Sequence, residues 1–186
     1  MPKFRGFIAV KIPFTESMKE LWDDVKKSGA RIKLVEPHNV HITLKFLGDT
    51  EESLVPRIEA IMRKAVMDVN PFEVELYGCG AFPSSSRPRV VWIGVREGAD
   101  VLKTIAEKID QEVSKLGFQR ETRPFVAHAT VGRVKGHIGG LPRVINEWSN
   151  RSLGKFEVKE ILLMKSILRP EGPEYHEVRR VLVGKE

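Results

Sequence analysis

The tetrads HITL at residues 41–44 and HATV at residues 128–131 decide how this chain folds. Side chains alternate between the two faces of a β-strand, so each tetrad places a histidine and a threonine on one face and two apolar residues on the other. We expect the apolar face to pack on a core and the polar face to be accessible. The imidazole and the hydroxyl then lie about 7 Å apart along the strand, from two rises of roughly 3.3 Å.

The segments that flank the tetrads indicate an internal duplication. FIAV at residues 7–10 stands before the first tetrad and WIGV at residues 92–95 before the second, at nearly equal spacings. Each half of the chain is predicted to run strand, helix, strand, helix, strand. The repeats span roughly 4–82 and 89–168. Two such units around a pseudo-two-fold axis would present equivalent strands to each other, so we expect the two histidines to meet across a groove.

The third strand of each repeat is marked by the tripeptide FEV, at residues 72–74 and 156–158. The second copy is predicted to start one strand over 156–168, which returns as a C-terminal hairpin within 156–183. The serine-rich connection between the repeats is short, and no long linker separates them. We therefore predict a single domain of two lobes over residues 1–186.

Composition restricts the class of protein. The chain has 186 residues, of which 41% are hydrophobic and 30% charged, and its apolar runs are too short to span a bilayer, so we expect a globular protein outside the membrane. Because Cys79 is its one cysteine, an internal disulfide or a cysteine-based zinc cage is excluded. We expect no export signal in residues 1–14 and a cytoplasmic location.

The charge of the chain suggests the kind of partner. A net charge of +6 and a pI near 9.5 favour a polyanion such as nucleic acid. Charged residues are abundant while glutamine and cysteine are scarce, a composition that leans toward a thermophilic source.

The side chains of the tetrads suit phosphoryl chemistry. An imidazole with an ordinary pKa of about 6.5 exchanges protons at neutral pH, and a threonine hydroxyl donates to a non-bridging phosphate oxygen. His41 and His128 on opposite sides of a phosphorus atom would supply one acid and one base for an in-line displacement. Thr43 and Thr130 would hold the phosphate oxygens. Such a reaction needs no metal and no cofactor.

Three other interpretations of the tetrads are open at this point. A histidine beside a threonine in a half-buried strand is often structural, although the duplication on equivalent strands argues against this for the pair. Two histidines also suggest a zinc site, but no third ligand stands at a short, regular spacing from either. A non-catalytic RNA-binding module would use the same basic groove, yet binding alone does not require two matched imidazoles.

Three further residues are candidates for substrate binding. Lys45 shares the face of the first histidine by strand alternation and would extend an electropositive groove, or else is solvated. Arg133 lies two residues past the second tetrad, and it would face away from the tetrad's threonine unless Gly132 breaks the alternation. Phe125 is the favoured aromatic for stacking an unpaired base, with core packing as the alternative. The other aromatic candidates are Phe46, Trp92 and Tyr175, and the histidines expected at the surface are His38, His137 and His176.

Together these motifs resemble those of the 2H phosphoesterase superfamily, and within it the archaeal and bacterial RNA 2′,3′-cyclic phosphodiesterases historically called 2′-5′ RNA ligases. The resemblance covers essentially the whole chain. It rests on FIAV at 7–10, NVHITLKFLG at 39–48, FP at 82–83 with PRVVW at 88–92, and SIL at 166–168.

The resemblance implies an α+β fold of two lobes, with antiparallel sheets lining a central cleft that holds both tetrads. It implies hydrolysis of RNA 2′,3′-cyclic phosphate ends to 2′-phosphomonoesters, or 2′-5′ ligation when a 5′-hydroxyl replaces water. His41 then looks like the proton donor and His128 like the proton acceptor, with Thr43 and Thr130 on the phosphate oxygens. The expected partner is RNA with cyclic-phosphate ends, tRNA-like fragments included, and the expected protein is a monomer.

Overall fold

The computed structural model of the protein describes residues 2–184, which form nine strands and four helices. The strands are β1 (Lys3–Lys11), β2 (Ile32–Leu34), β3 (His41–Glu51), β4 (Phe72–Pro83), β5 (Pro88–Val95), β6 (His128–Val134), β7 (Ser152–Val158), β8 (Glu160–Arg169) and β9 (Gly172–Leu182). The helices are α1 (Glu16–Lys27), α2 (Val55–Val66), α3 (Ala99–Val113) and α4 (Leu141–Trp148). Short 3-10 helices lie at Pro37–Asn39, Glu52–Leu54 and Ser114–Leu116. None of the helices described is long and apolar enough to cross a membrane.

The ends of α1 follow from local chemistry. The hydroxyl of Thr15 accepts a hydrogen bond from the backbone N–H of Met18 at 3.1 Å, which satisfies one of the unpaired donors at the helix start. Gly29 follows the helix with a φ of 79°, a left-handed conformation that glycine adopts without steric cost. The sequence predicts Thr15 as the cap and Gly29 as the stop, and both predictions are confirmed.

The strands form one antiparallel sheet, in the order β7-β4-β5-β6-β3-β1-β8-β9, with β2 paired to the second half of β6. At the centre of this order, β3 and β6 share a single pair of opposed residues, Ile42 and Ala129. The ladders on either side are longer. The sheet therefore divides here into two lobes, and the two tetrads lie at the junction.

Each lobe has its own pair of helices. Helices α2 and α3 pack on the lobe of β1, β3, β8 and β9, whereas α1 and α4 pack on the lobe of β4 to β7. Helix α1 thus comes from the first half of the chain but covers strands of the second lobe, and α3 does the reverse. The buried apolar side chains of both lobes form one continuous core. The predicted α+β class with antiparallel strands is confirmed, in one divided sheet.

The predicted strand over 156–168 is wrong. The region is divided between β7, which pairs with β4 in one lobe, and β8, which pairs with β1 in the other. The two FEV tripeptides are neighbours in the sheet, since Phe72 lies opposite Val158. The hairpin consists of β8 and β9. Only Lys159 separates β7 from β8, so the sequence contains no turn signal at the change of partner.

Both tetrad strands contain a β-bulge at the fourth residue of the tetrad. The ladder between β3 and β1 leaves Leu44 without an opposed residue, and the ladder between β6 and β5 does the same to Val131. A bulge interrupts the alternation of side chains. The next residues, Lys45 and Gly132, therefore stay on the buried side, and the residues after them return to the face of the histidines.

The first bulge turns Lys45 into the core, so the prediction that Lys45 extends the groove is wrong. Its side chain is 2% exposed, and its ammonium donates to the carboxylate of Asp110 and to the carbonyl of Gln119, each at 2.7 Å. Asp110 also accepts from the Arg120 guanidinium and from the backbone N–H of Glu121. Burial raises the pKa of Asp110, but these bonds outweigh burial and leave the pKa lowered.

We expect Asp110→Asn to lower the free energy of unfolding by about 3 kcal/mol, because it leaves the buried Lys45 ammonium with one carboxylate only, that of the exposed Glu121 at 3.3 Å. Chemical denaturation followed by circular dichroism measures this loss. Lys45→Met is the matched variant: it removes the buried cation while Asp110 keeps Arg120 and a backbone donor, so its cost should be smaller. An Asp110→Asn protein as stable as the parent would contradict the role of this ion pair.

Candidate active site

The tetrads place both histidines on the same side of the sheet. Ile42 and Ala129 are fully buried and directly opposed, so they belong to the core side. Because side chains alternate, His41 and His128 project from the other side, next to this pair. They are near enough for the charge of His128 to lower the pKa of His41. The structure thus brings the two imidazoles into one cleft.

Each imidazole is oriented by a backbone carbonyl two residues earlier. The Nδ1 of His41 lies 2.7 Å from the carbonyl oxygen of Asn39, and the Nδ1 of His128 lies 2.8 Å from that of Val126. A carbonyl oxygen only accepts hydrogen bonds, so each Nδ1 is assigned as the donor. The neutral rings then carry their lone pairs on Nε2. Both histidines are therefore held in the tautomer whose Nε2 can take up a proton.

The two histidines differ in their surroundings. The hydroxyl of Thr43 donates to Nε2 of His41 at 3.0 Å. Burial is the main cause that lowers the pKa of His41, the bond to Asn39 opposes it, and the charge of His128 adds to it. Nε2 of His128 makes no hydrogen bond to any residue that the structure describes. His41 is thus engaged and mostly neutral at neutral pH, while the lone pair of His128 is open to the cleft.

Two aromatic rings pack against each imidazole. Phe7 and Tyr175 have ring centroids 5.0 Å and 5.4 Å from that of the first histidine. Phe82 and Trp92 lie 5.6 Å and 6.5 Å from the second. Such contacts restrict rotation of the imidazoles and exclude water from one side of each ring. Trp92 and Tyr175, which the sequence offers as base-stacking candidates, therefore pack against the histidines themselves.

Sequence reasoning misses Phe7 and Phe82 as site residues. Both belong to segments that carry the family resemblance, FIAV at 7–10 and FP at 82–83, and this is the signal that could have identified them. Phe7 also occupies the position of Trp92 when the two halves of the chain are aligned. Residues at matching positions thus pack against the two histidines.

The second bulge turns Arg133 toward the cleft. Because Val131 is the extra residue in β6, Arg133 lies opposite Val90 and is exposed on the side of Thr130. Burial raises the pKa of Tyr175, and the charge of Arg133 opposes this effect. A cation therefore stands beside the two tetrads, where an anionic substrate would lie.

The other sequence candidates lie outside this arrangement. Phe125 packs against the main core, which favours the packing alternative over base stacking. His137 is bonded to a backbone carbonyl at 2.7 Å, His176 lies 2.8 Å from the carboxylate of Glu174, and His38 is exposed. In the part of the chain that the structure describes, no group of three or more His, Cys, Asp or Glu residues is arranged to hold a metal ion.

Known proteins are similar to this chain in sequence and in fold. The family model described as the 2′-5′ RNA ligase superfamily matches residues 13–168. A Methanothermobacter thermautotrophicus protein named RNA 2′,3′-cyclic phosphodiesterase is 39% identical over 93% of this chain and 95% of its own. An Archaeoglobus fulgidus protein of the same name is 40% identical over 94% of this chain and 98% of its own. A crystal structure from Thermus thermophilus, 25% identical, superposes with a TM-score of 0.78 over 98% of this chain and 100% of that one.

We expect the imidazole of His41 to titrate below about 6.5, the ordinary pKa of histidine, in an NMR titration, because burial disfavours its charged form. His128→Ala removes a nearby positive charge, so the pKa of His41 should rise in that variant and still stay below the ordinary value. His176→Ala, at an exposed position, serves as the control and should change nothing. An unaltered His41 pKa in His128→Ala would contradict the proximity of the two rings.

Proposed function

The chain belongs to the 2′-5′ RNA ligase superfamily, and on that premise we propose that it is an RNA 2′,3′-cyclic phosphodiesterase. In this reaction water opens the cyclic phosphate at the end of an RNA and leaves a 2′-phosphomonoester. The observation that carries the proposal is that His41 and His128 both turn Nε2 to one cleft while carbonyls hold their Nδ1 atoms. The name shared by the two archaeal relatives supports the substrate class.

His128 acts as the proton acceptor. Its Nε2 makes no bond to the described residues, so its lone pair is available to an attacking water. As the water oxygen bonds to phosphorus, its proton passes to Nε2. The imidazolium that results is stabilised by the carbonyl of Val126, to which Nδ1 continues to donate.

His41 acts as the proton donor. The bond between phosphorus and the 3′ oxygen breaks as the proton on Nε2 of His41 moves to that oxygen. Because burial lowers the pKa of His41, the ring must gain this proton when substrate binds, and a phosphate anion beside it favours the charged form. After the reaction, His128 releases a proton to solvent and His41 regains one.

Thr43 and Thr130 hold the non-bridging oxygens of the phosphate. In the free protein the Thr43 hydroxyl donates to neutral His41. Once His41 is protonated its Nε2 can no longer accept, so the hydroxyl is released to donate to the phosphate. Arg133 adds a positive charge on the same face. Protonation of His41 and binding of the phosphate therefore favour each other.

Ligation fits the same site. Joining of two RNA ends through a 2′-5′ linkage uses a 5′-hydroxyl in place of water and leaves the roles of the histidines unchanged. The proposed substrates include tRNA-like fragments that bear such ends. One chain contributes every group named in this mechanism, so a monomer suffices.

A non-catalytic RNA-binding module is the less economical interpretation, because binding does not require two imidazoles held in the same tautomer.

His41→Ala and His128→Ala should each lower kcat for a 2′,3′-cyclic-phosphate RNA by roughly 100-fold or more, since each removes a proton-transfer group. Phosphorus NMR of the parental product should show the phosphate on the 2′ oxygen. EDTA should leave the rate unchanged, and His176→Ala is the control. A 3′-phosphate product would overturn the leaving group, and parental rates in either alanine variant would overturn the pair.

The pH profiles of kcat/KM and of kcat should fall at different pH values on their alkaline sides. His41 must be protonated to act as the acid, and its pKa is lowered in the free protein. The profile of kcat/KM reports the free protein, so it should fall at a lower pH than the profile of kcat, which reports the complex where phosphate raises that pKa. Steady-state kinetics across the neutral range measure both. Coincident limbs would argue against His41 as the donor.

A further inference from the structure

The first bulge returns Phe46 to the face of the histidines, where its side chain is half solvent-exposed. Uninterrupted alternation from the tetrad would have buried it. Phe46 lies opposite Phe7 in the ladder between β3 and β1, and directly opposed residues of antiparallel strands share a face. Phe7 packs against His41. The exposed ring of Phe46 is therefore continuous with the cleft.

Arg5 lies over this ring. Its guanidinium carbon is 5.1 Å from the ring centroid, within the range of a cation–π contact. Asp49 is the residue opposite Arg5 on β3, but the two side chains form no salt bridge in the described structure. The guanidinium is thus oriented by an aromatic ring and can still bind an anion from solution.

An exposed aromatic ring beside an unpaired guanidinium is the combination with which proteins bind single-stranded RNA, by stacking on a base and contacting the backbone. Phe46 is five residues from His41 along β3, but the bulge at Leu44 takes up one of them, so the backbone span is roughly 13 Å at the usual strand rise. This span is longer than one nucleoside. A terminal nucleotide with its cyclic phosphate between the histidines would not reach Phe46, whereas its neighbour in the chain would.

We propose that Phe46 and Arg5 form a platform for the nucleotide that precedes the cyclic-phosphate end, with its base on the ring and its phosphate on the guanidinium. This rests on the proposed function and identifies the substrate as the end of an RNA chain. The position that follows the equivalent bulge in the other lobe is Arg133. At these matching positions one lobe thus presents an aromatic ring and the other a guanidinium, so the two sides of the cleft differ.

The test compares an RNA trinucleotide that ends in a 2′,3′-cyclic phosphate with 2′,3′-cyclic AMP. Phe46→Ala should lower kcat/KM for the trinucleotide roughly 10-fold, the loss of one stacked base, and leave that for cyclic AMP unchanged. Phe46→Trp should retain the preference. Arg5→Ala should act in the same direction, with an effect that shrinks as salt increases. Met67→Ala and Arg63→Ala, exposed on or beside α2, are the matched controls.

Two results would overturn the platform: equal losses on both substrates in Phe46→Ala, or a parental protein that shows no preference for the trinucleotide. A parental protein inactive on both substrates refutes the proposed function instead. The platform is then decided by the fluorescence anisotropy of a labelled trinucleotide with a terminal phosphate. Phe46→Ala must weaken that binding and Met67→Ala must not, and any other pattern rejects the platform.

Discussion

The pairing of Ile42 with Ala129 joins the two lobes at the centre of the sheet. Both side chains are fully buried. A shift of this register by one residue would turn over the strand that shifts, expose its apolar residue and bury its histidine, so burial makes the register unique. The position of the two imidazoles relative to each other therefore depends on this contact between the lobes. The backbone carbonyls and the aromatic rings then orient each imidazole within the cleft.

The β-bulge at the fourth residue of each tetrad has a different consequence in each lobe. The bulges lie at matching positions, but the buried residue that follows is Lys45 in one strand and Gly132 in the other. A Cβ at Gly132 would lie 2.8 Å from the carbonyl of Lys33, so glycine permits β2 to pair with β6 there. Lys45 instead crosses to Asp110. The backbones are nearly symmetric, and the side chains make the lobes unequal.

The local sequence pattern was enough to predict the features that depend on residues close together in the chain. Alternation and spacing indicated the tetrads and the face of each histidine, and the residue types at Thr15 and Gly29 indicated the ends of α1. The bulges were not predictable, because an extra residue in a strand leaves no mark in the apolar pattern, and Lys45 was misplaced as a result. The partner of Lys45 stands 65 residues away. The division of 156–168 between the lobes likewise depends on long-range pairing.

The difference between the two histidines originates in the C-terminal hairpin. Asn39, whose carbonyl orients His41, donates through its side chain to the carbonyl of Pro173 at 3.2 Å, at the start of β9. This bond holds Tyr175 of the same strand against the imidazole. The hairpin thereby buries His41, and burial is what lowers its pKa. Two imidazoles made equivalent by the central pair become distinct because a strand from outside the tetrads covers one of them.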